Sequence, residues 1–176
     1  MKALTRSQID SLLELANIQE RAMILLSFSH GLRASECVGL LRSDVDMEKR
    51  IITVRRLKRS LTTRQPISDI EYEALTLWLS IAPESPYCFP GDSKGHLSRM
   101  TWHRWLKSLA IDAGLPYAHC HMLKHALGFA LAAANITMPV IKQALGHKSI
   151  TSTAVYTEMD DDTVGRIVSD VLKNDA

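Results

Sequence analysis

Ile9, Leu12, Leu13 and Ala16 recur at helical spacing behind Thr5, with Gln8 three residues after it, which predicts an amphipathic helix opened by a capping box. The apolar run 22–29, AMILLSFS, is too long and too poor in turn residues for a lone strand. It predicts a buried helix that stops near His30-Gly31, since glycine readily takes the left-handed conformation that ends helices. A short helix is expected from Ala34 to about Leu41, followed by turn chemistry in Ser43-Asp44-Val45-Asp46. The β-branched stretch Ile51-Ile52-Thr53-Val54 predicts a strand, and 63–67 a second extended piece. Together they make a hairpin whose turn carries Lys58, Arg59 and Ser60. Ser68 and Glu71 read as another capping box, opening a helix to about Ile81, and Pro83, Pro86, Pro90, Gly91 and Gly95 mark one long loop. Further helices fit 98–113, 121–134, 137–145 with Pro139 in its first turn and Gly146 just past its end, and about 161–172. The fold class is therefore mainly α with one small β-hairpin, and no internal repeat divides it.

Composition bounds this picture without changing it. A chain of 176 residues has the usual size of one domain and hides roughly 70% of its unfolded surface on folding. Hydrophobic residues make up 46% and charged residues 23%, with 8 Gly and 6 Pro, which excludes collagen-like and low-complexity chains. Cys37, Cys88 and Cys120 are odd in number and form no CxxC pair, so neither a disulfide framework nor a thiolate zinc site is suggested. No apolar run approaches the roughly 18 residues of a membrane helix, and the first residues lack the apolar core of a signal peptide. A cytoplasmic protein with no membrane association is expected. The net charge is only +2, but it is unevenly spread. Lys49, Arg50, Arg55, Arg56, Lys58, Arg59 and Arg64 follow one another without an acid between Lys49 and Arg64, whereas Asp160, Asp161 and Asp162 cluster near the end. The basic stretch points to a polyanion.

Four polar islands stand in apolar or turn contexts: Gly31-Leu32-Arg33-Ala34-Ser35-Glu36, Lys58, His121-Met122-Leu123-Lys124-His125, and Leu145-Gly146-His147 with Tyr156 nine residues later. In this order and spacing they resemble the catalytic domain of the tyrosine recombinases, the phage-integrase family, and in length and wording the small DNA invertases of fimbrial switches. The resemblance implies that fold over a single catalytic domain, residues 1–176, without the N-terminal DNA-clamping domain of longer members. It assigns the catalytic roles to Arg33, Lys58, His121, Lys124, His147 and Tyr156, with Glu36 and His125 as supporting neighbours. The family's second arginine is Lys124 in this sequence. Expected DNA contacts are Arg55, Arg56, Arg59, Arg64, His103, Arg104 and Lys107.

The chemistry calls for these residue types together. A tyrosine hydroxyl attacking a phosphodiester must lose a proton whose ordinary pKa is near 10, and charge builds on the non-bridging oxygens as phosphorus becomes five-coordinate. Cations aimed at those oxygens stabilise the transition state, and Arg33 has the planar fork of donors that suits them. Lys124 offers a point charge without bidentate geometry, a difference worth roughly 10- to 100-fold in rate. His121 and His147 would manage protons or donate to the phosphate, and Lys58 would protonate the departing 5′ oxygen. The phosphotyrosyl ester conserves the energy of the broken bond, so the resemblance implies neither metal nor cofactor. It further implies a duplex carrying inverted-repeat sites as partner, a homotetramer on two sites, and DNA-bending accessory proteins. The segment 160–173, with Val164, Ile167, Val168, Val171 and Leu172 on one face, is the expected element exchanged between protomers.

Blander readings exist for each residue. Arg33 alone would be a surface cation, Tyr156 a packed aromatic, and Trp102 and Trp105 helix-face core residues. Lys58 in a basic turn would be a solvated charge, with Arg59 its nearest rival for the catalytic place. His121 and His125 are spaced as two metal ligands, yet no acid accompanies them as in HExxH. The rival function is a regulator that occupies recombination sites without cutting them, supported by Lys124. A helical interaction protein with no DNA role is a third, opposed by the basic stretch.

Overall fold

The computed structural model describes residues 3–57, 61–92, 95–156, 164 and 166. α1 (Arg6–Leu15) starts where the sequence predicts, with the Thr5 hydroxyl accepting the Gln8 N–H at 3.3 Å and the Gln8 side chain accepting the Thr5 N–H at 2.9 Å. α2 (Ile18–Ser29) begins four residues before the apolar run, because Asn17 and Glu20 form a second reciprocal cap. α3 (Ala34–Val38) is shorter than expected and gives way to a 3-10 turn at Arg42–Asp44.

The sheet has three strands rather than the two of a hairpin. β2 (Ile51–Val54) pairs antiparallel with β3 (Thr63–Pro66) in the register Ile52 to Gln65 and Val54 to Thr63. β1 (Val45–Asp46) adds two residues to the other edge of β2, where the sequence predicts turn chemistry alone. α4 (Asp69–Ile81), α5 (Arg99–Asp112), α6 (Cys120–Ala133) and α7 (Met138–Leu145) follow close to their predicted bounds, and a single turn, α8 (Thr151–Ala154), leads to Tyr156. The expected helix 161–172 lies outside the described residues apart from Val164 and Arg166.

α2 is the central element, packed on α4 and α6, and it is buried all round from Ala22 to Leu26. Leu12, Leu75, Phe89, Trp102 and Leu106 complete this main core. A smaller cluster of Ile141, Leu145 and Tyr156 rests against Leu127 and Phe129 of α6. It brings the α7–α8 corner onto the face of α6 that carries His121, Lys124 and His125. No helix among the described residues is long and apolar enough to cross a membrane.

Candidate active site

The site is built around two helix C-termini that meet. α2 is capped at His30, and the next residue, Gly31 (φ 57°), reverses the chain; a Cβ there would lie 2.8 Å from Leu145 at the end of α7, so glycine permits both the reversal and the close approach. The chain then sets Arg33 at the N-cap of α3. Glu36 reaches back to it, accepting the Arg33 N–H at 2.9 Å and Nη1 at 2.6 Å. Burial pushes the Glu36 carboxyl up, but the donors of Arg33 and the charges of Arg56 and Arg33 outweigh it and hold Glu36 below the usual carboxylate range.

Arg56 overturns one expectation. Read from the basic stretch as a DNA contact, its side chain is fully buried. Nη1 donates to Gly31 O at 2.7 Å and to Glu36 Oε2 at 3.2 Å, while Nη2 donates to His30 O at 2.7 Å and Ala144 O at 2.9 Å. Terminal carbonyls of a helix have no partner within it, and this guanidinium satisfies those of α2 and α7 together. Gly146 (φ 65°) makes room, since a Cβ there would stand 2.6 Å from Arg56 Nε.

Lys124 bridges the same two helix ends from α6. Its Nζ donates to Gly31 O at 2.7 Å and to Leu145 O at 2.8 Å, and the residue is 1% exposed. Burial, reinforced by the charge of Arg56, pulls the amine down to about 7. Both hydrogen bonds run to main-chain carbonyls two residues before Arg33 and two residues before His147, so Lys124 ties together the turns that present them.

Tyr156 faces this junction from α8. Its hydroxyl lies 2.7 Å from His125 Nδ1, its ring stands edge-on to Phe129, and the His147 ring lies nearly parallel to it at 6.2 Å. Gly128 allows the phenol to sit directly on α6, because a Cβ there would come within 2.7 Å of the ring. The His121 ring is edge-on to His125 at 4.3 Å, and His121 itself is exposed. His147 follows Gly146 and engages the buried Thr153 hydroxyl at 3.1 Å through Nδ1. Burial, then neighbouring cations, lower both His125 and His147 to about 4, so both rings are neutral at pH 7. Burial and the Lys124 charge lower His121 in the same sense. Burial raises Tyr156, and the charge of Arg33 opposes it.

The structure thus brings together Arg33, His121, Lys124, His147 and Tyr156, with Glu36 and His125 beneath them. Lys58 and Arg59 lie outside the described residues. Arg55 is exposed and pairs with the buried Asp44 at 2.7 Å, and Arg64 is exposed on β3. On α5, Arg104 and Lys107 are exposed and His103 is half-buried, Lys107 donating to Pro116 O. No three His, Cys, Asp or Glu side chains gather to hold a metal among the described residues. Sequence reasoning missed Gly128, Thr153 and Gln65, whose Nε2 donates to Ala144 O at 2.9 Å. Gly128 alone left a signal, as a glycine inside a helical pattern.

The phage integrase family model matches residues 2–163, and the chain belongs to that family. The mostly helical fold with its small antiparallel sheet is that of tyrosine recombinase catalytic domains: an integrase of the transposon Tn1549, solved with circular intermediate DNA, superposes with a TM-score of 0.83 at 18% identity, over 96% of this chain and 65% of that one. Among curated proteins, the chain is 39% identical to the type 1 fimbriae regulatory protein FimB of Escherichia coli K12, covering 88% of this chain and 82% of FimB. It is 33% identical to FimE of the same strain, over 79% of this chain and 74% of FimE.

Proposed function

We propose that the protein is a site-specific DNA recombinase that cuts and rejoins strands through a 3′-phosphotyrosyl intermediate, with Tyr156 as nucleophile. The observation that carries this is the junction at Tyr156: its hydroxyl meets His125, which His121 meets edge-on, its ring lies beside that of His147, and the charge of Arg33 acts on the phenol. Tyr156 Oη attacks the scissile phosphorus, the bond to the 5′ oxygen breaks, and that oxygen takes a proton from Lys58. Arg33, pre-aimed by Glu36, donates to the non-bridging oxygens. Neutral His147 supplies an N–H donor to the phosphate, and His121 takes the phenol proton through water. Lys124 holds the Arg33 and His147 turns in place. A 5′ hydroxyl from the partner strand reverses the chemistry, so the energy of the original bond is conserved.

The similarity to FimB and FimE supports a role in inverting a promoter-bearing segment between inverted repeats, in fimbrial phase variation. Arg55, Arg59, Arg64, His103, Arg104 and Lys107 supply phosphate contacts for positioning, and the working form is a tetramer on two sites assisted by DNA-bending proteins. The second reading, a regulator that occupies sites without cutting, draws on Lys124, whose amine is spent on carbonyls. A nicked suicide duplex carrying the inverted-repeat site separates the two. A covalent protein–DNA band that disappears in Tyr156→Phe is expected. Duplex binding without any band, in the protein and in Lys124→Arg alike, selects the regulator.

A further inference from the structure

We propose that His125 is a positioning residue for the nucleophile: its Nδ1 accepts the hydroxyl hydrogen of Tyr156 and so sets the direction in which the phenol oxygen faces. The inference rests on Tyr156 being the nucleophile. Tyr156 is 6% exposed, and among the described residues the polar group against its hydroxyl is His125 Nδ1, at 2.7 Å. A buried O–H needs an acceptor, and the other imidazole beside the ring, His147, has its Nδ1 committed to Thr153. The His125 ring is itself fixed, since His121 meets it edge-on at 4.3 Å one turn earlier on α6. The phenol has little freedom to swing away, with α6 against its face at Gly128 and Phe129 across its edge.

The proton points toward His125 rather than away from it. If Nδ1 carried the hydrogen and donated to Oη, the phenol hydrogen would be left without an acceptor in a buried place. With Oη–H donated to Nδ1, the oxygen lone pairs turn away from α6. His125 does not take the proton as the catalytic base: burial lowers the imidazole to about 4 and raises the phenol, and both shifts oppose transfer. Its contribution is orientation, and a nucleophile displaced by about 1 Å loses up to roughly 100-fold in rate.

The test compares His125→Leu, which removes the acceptor, with His125→Asn, which returns an acceptor close to the place of Nδ1. Covalent-complex formation is timed on the nicked duplex at saturating DNA, and duplex affinity is measured by fluorescence anisotropy. His125→Leu should slow the covalent step by about 10- to 100-fold with affinity within about twofold, and His125→Asn should recover most of the loss. A His125→Leu rate equal to that of the unmodified protein overturns the proposal, as does an Asn variant no faster than Leu. Should His125→Leu fail to fold, proton NMR of the unmodified protein decides. A downfield hydroxyl resonance absent from Tyr156→Phe and coupled to the His125 Nδ1 nitrogen supports the assignment, and its absence refutes it. A covalent complex formed by Tyr156→Phe would instead end the nucleophile reading itself.

Discussion

Replacing Lys124 with methionine keeps the length and apolar stem of the side chain while removing its amine, and the consequence follows from linkage. Below pH 7 the amine is protonated in the folded and the unfolded chain, and the folded state bears the full cost of burying the charge. Between the folded value of about 7 and the ordinary value of 10.5, the folded chain holds Lys124 neutral while the unfolded chain still binds the proton. The unfolded state then binds more protons, so stability rises with pH across this window. From pH 7 to pH 9 the gain assignable to Lys124 is about 2 kcal/mol, from roughly 1.4 kcal/mol per pH unit once the group is mostly neutral. Burial raises Cys37, Cys88 and Cys120 to about 12, which lowers stability above about pH 9, but these groups are common to both proteins and cancel in the difference. Urea unfolding of the protein and of Lys124→Met at pH 7, 8 and 9 measures that difference. It should move by about 2 kcal/mol in favour of the lysine form as pH rises. Parallel curves would show that Lys124 stays charged in the folded state and that the carbonyl cradle holds an ammonium ion throughout.

Two further substitutions address the frame of the site. Arg56→Met strips the donors from His30 O, Gly31 O and Ala144 O and removes a cation from buried Glu36, so urea unfolding should register a loss of about 3–5 kcal/mol; a loss below about 1 kcal/mol would mean the junction re-satisfies itself with water. Gly128→Ala places a methyl within 2.7 Å of the Tyr156 ring, so the phenol must shift while the helix gains propensity. Covalent-complex formation should fall at least about tenfold while stability changes by less than about 2 kcal/mol, and an unchanged rate would show that the ring need not rest on α6.

Sequence alone determined most of the described helices, the β2–β3 hairpin and the order of the chemistry-bearing residues, though not β1. The Thr5–Gln8 cap, the stop at Gly31, the strand 51–54 and the glycine after Leu145 each depend on residues a few positions apart, and short-range periodicity and backbone freedom are what a sequence displays openly. Arg33, Lys124, His147 and Tyr156 stood out as polar residues in apolar or turn contexts, and the resemblance to the tyrosine recombinases, not local periodicity, supplied the roles expected of them. The direction each side chain takes was not legible. Arg56 shares a basic run with exposed neighbours and nothing local marks it as internal; it is buried because the end of α7, 88 residues onward, delivers a carbonyl that only a long cation reaches. Lys124 turns inward because Gly31 O and Leu145 O meet above it, 93 residues before it and 21 after it. His125 finds Tyr156 because α8 folds back onto α6 across 31 residues. Unpaired helix-end carbonyls and a buried phenol must be satisfied from whatever packing brings near, and that proximity is a property of the assembled tertiary structure rather than of any stretch of chain.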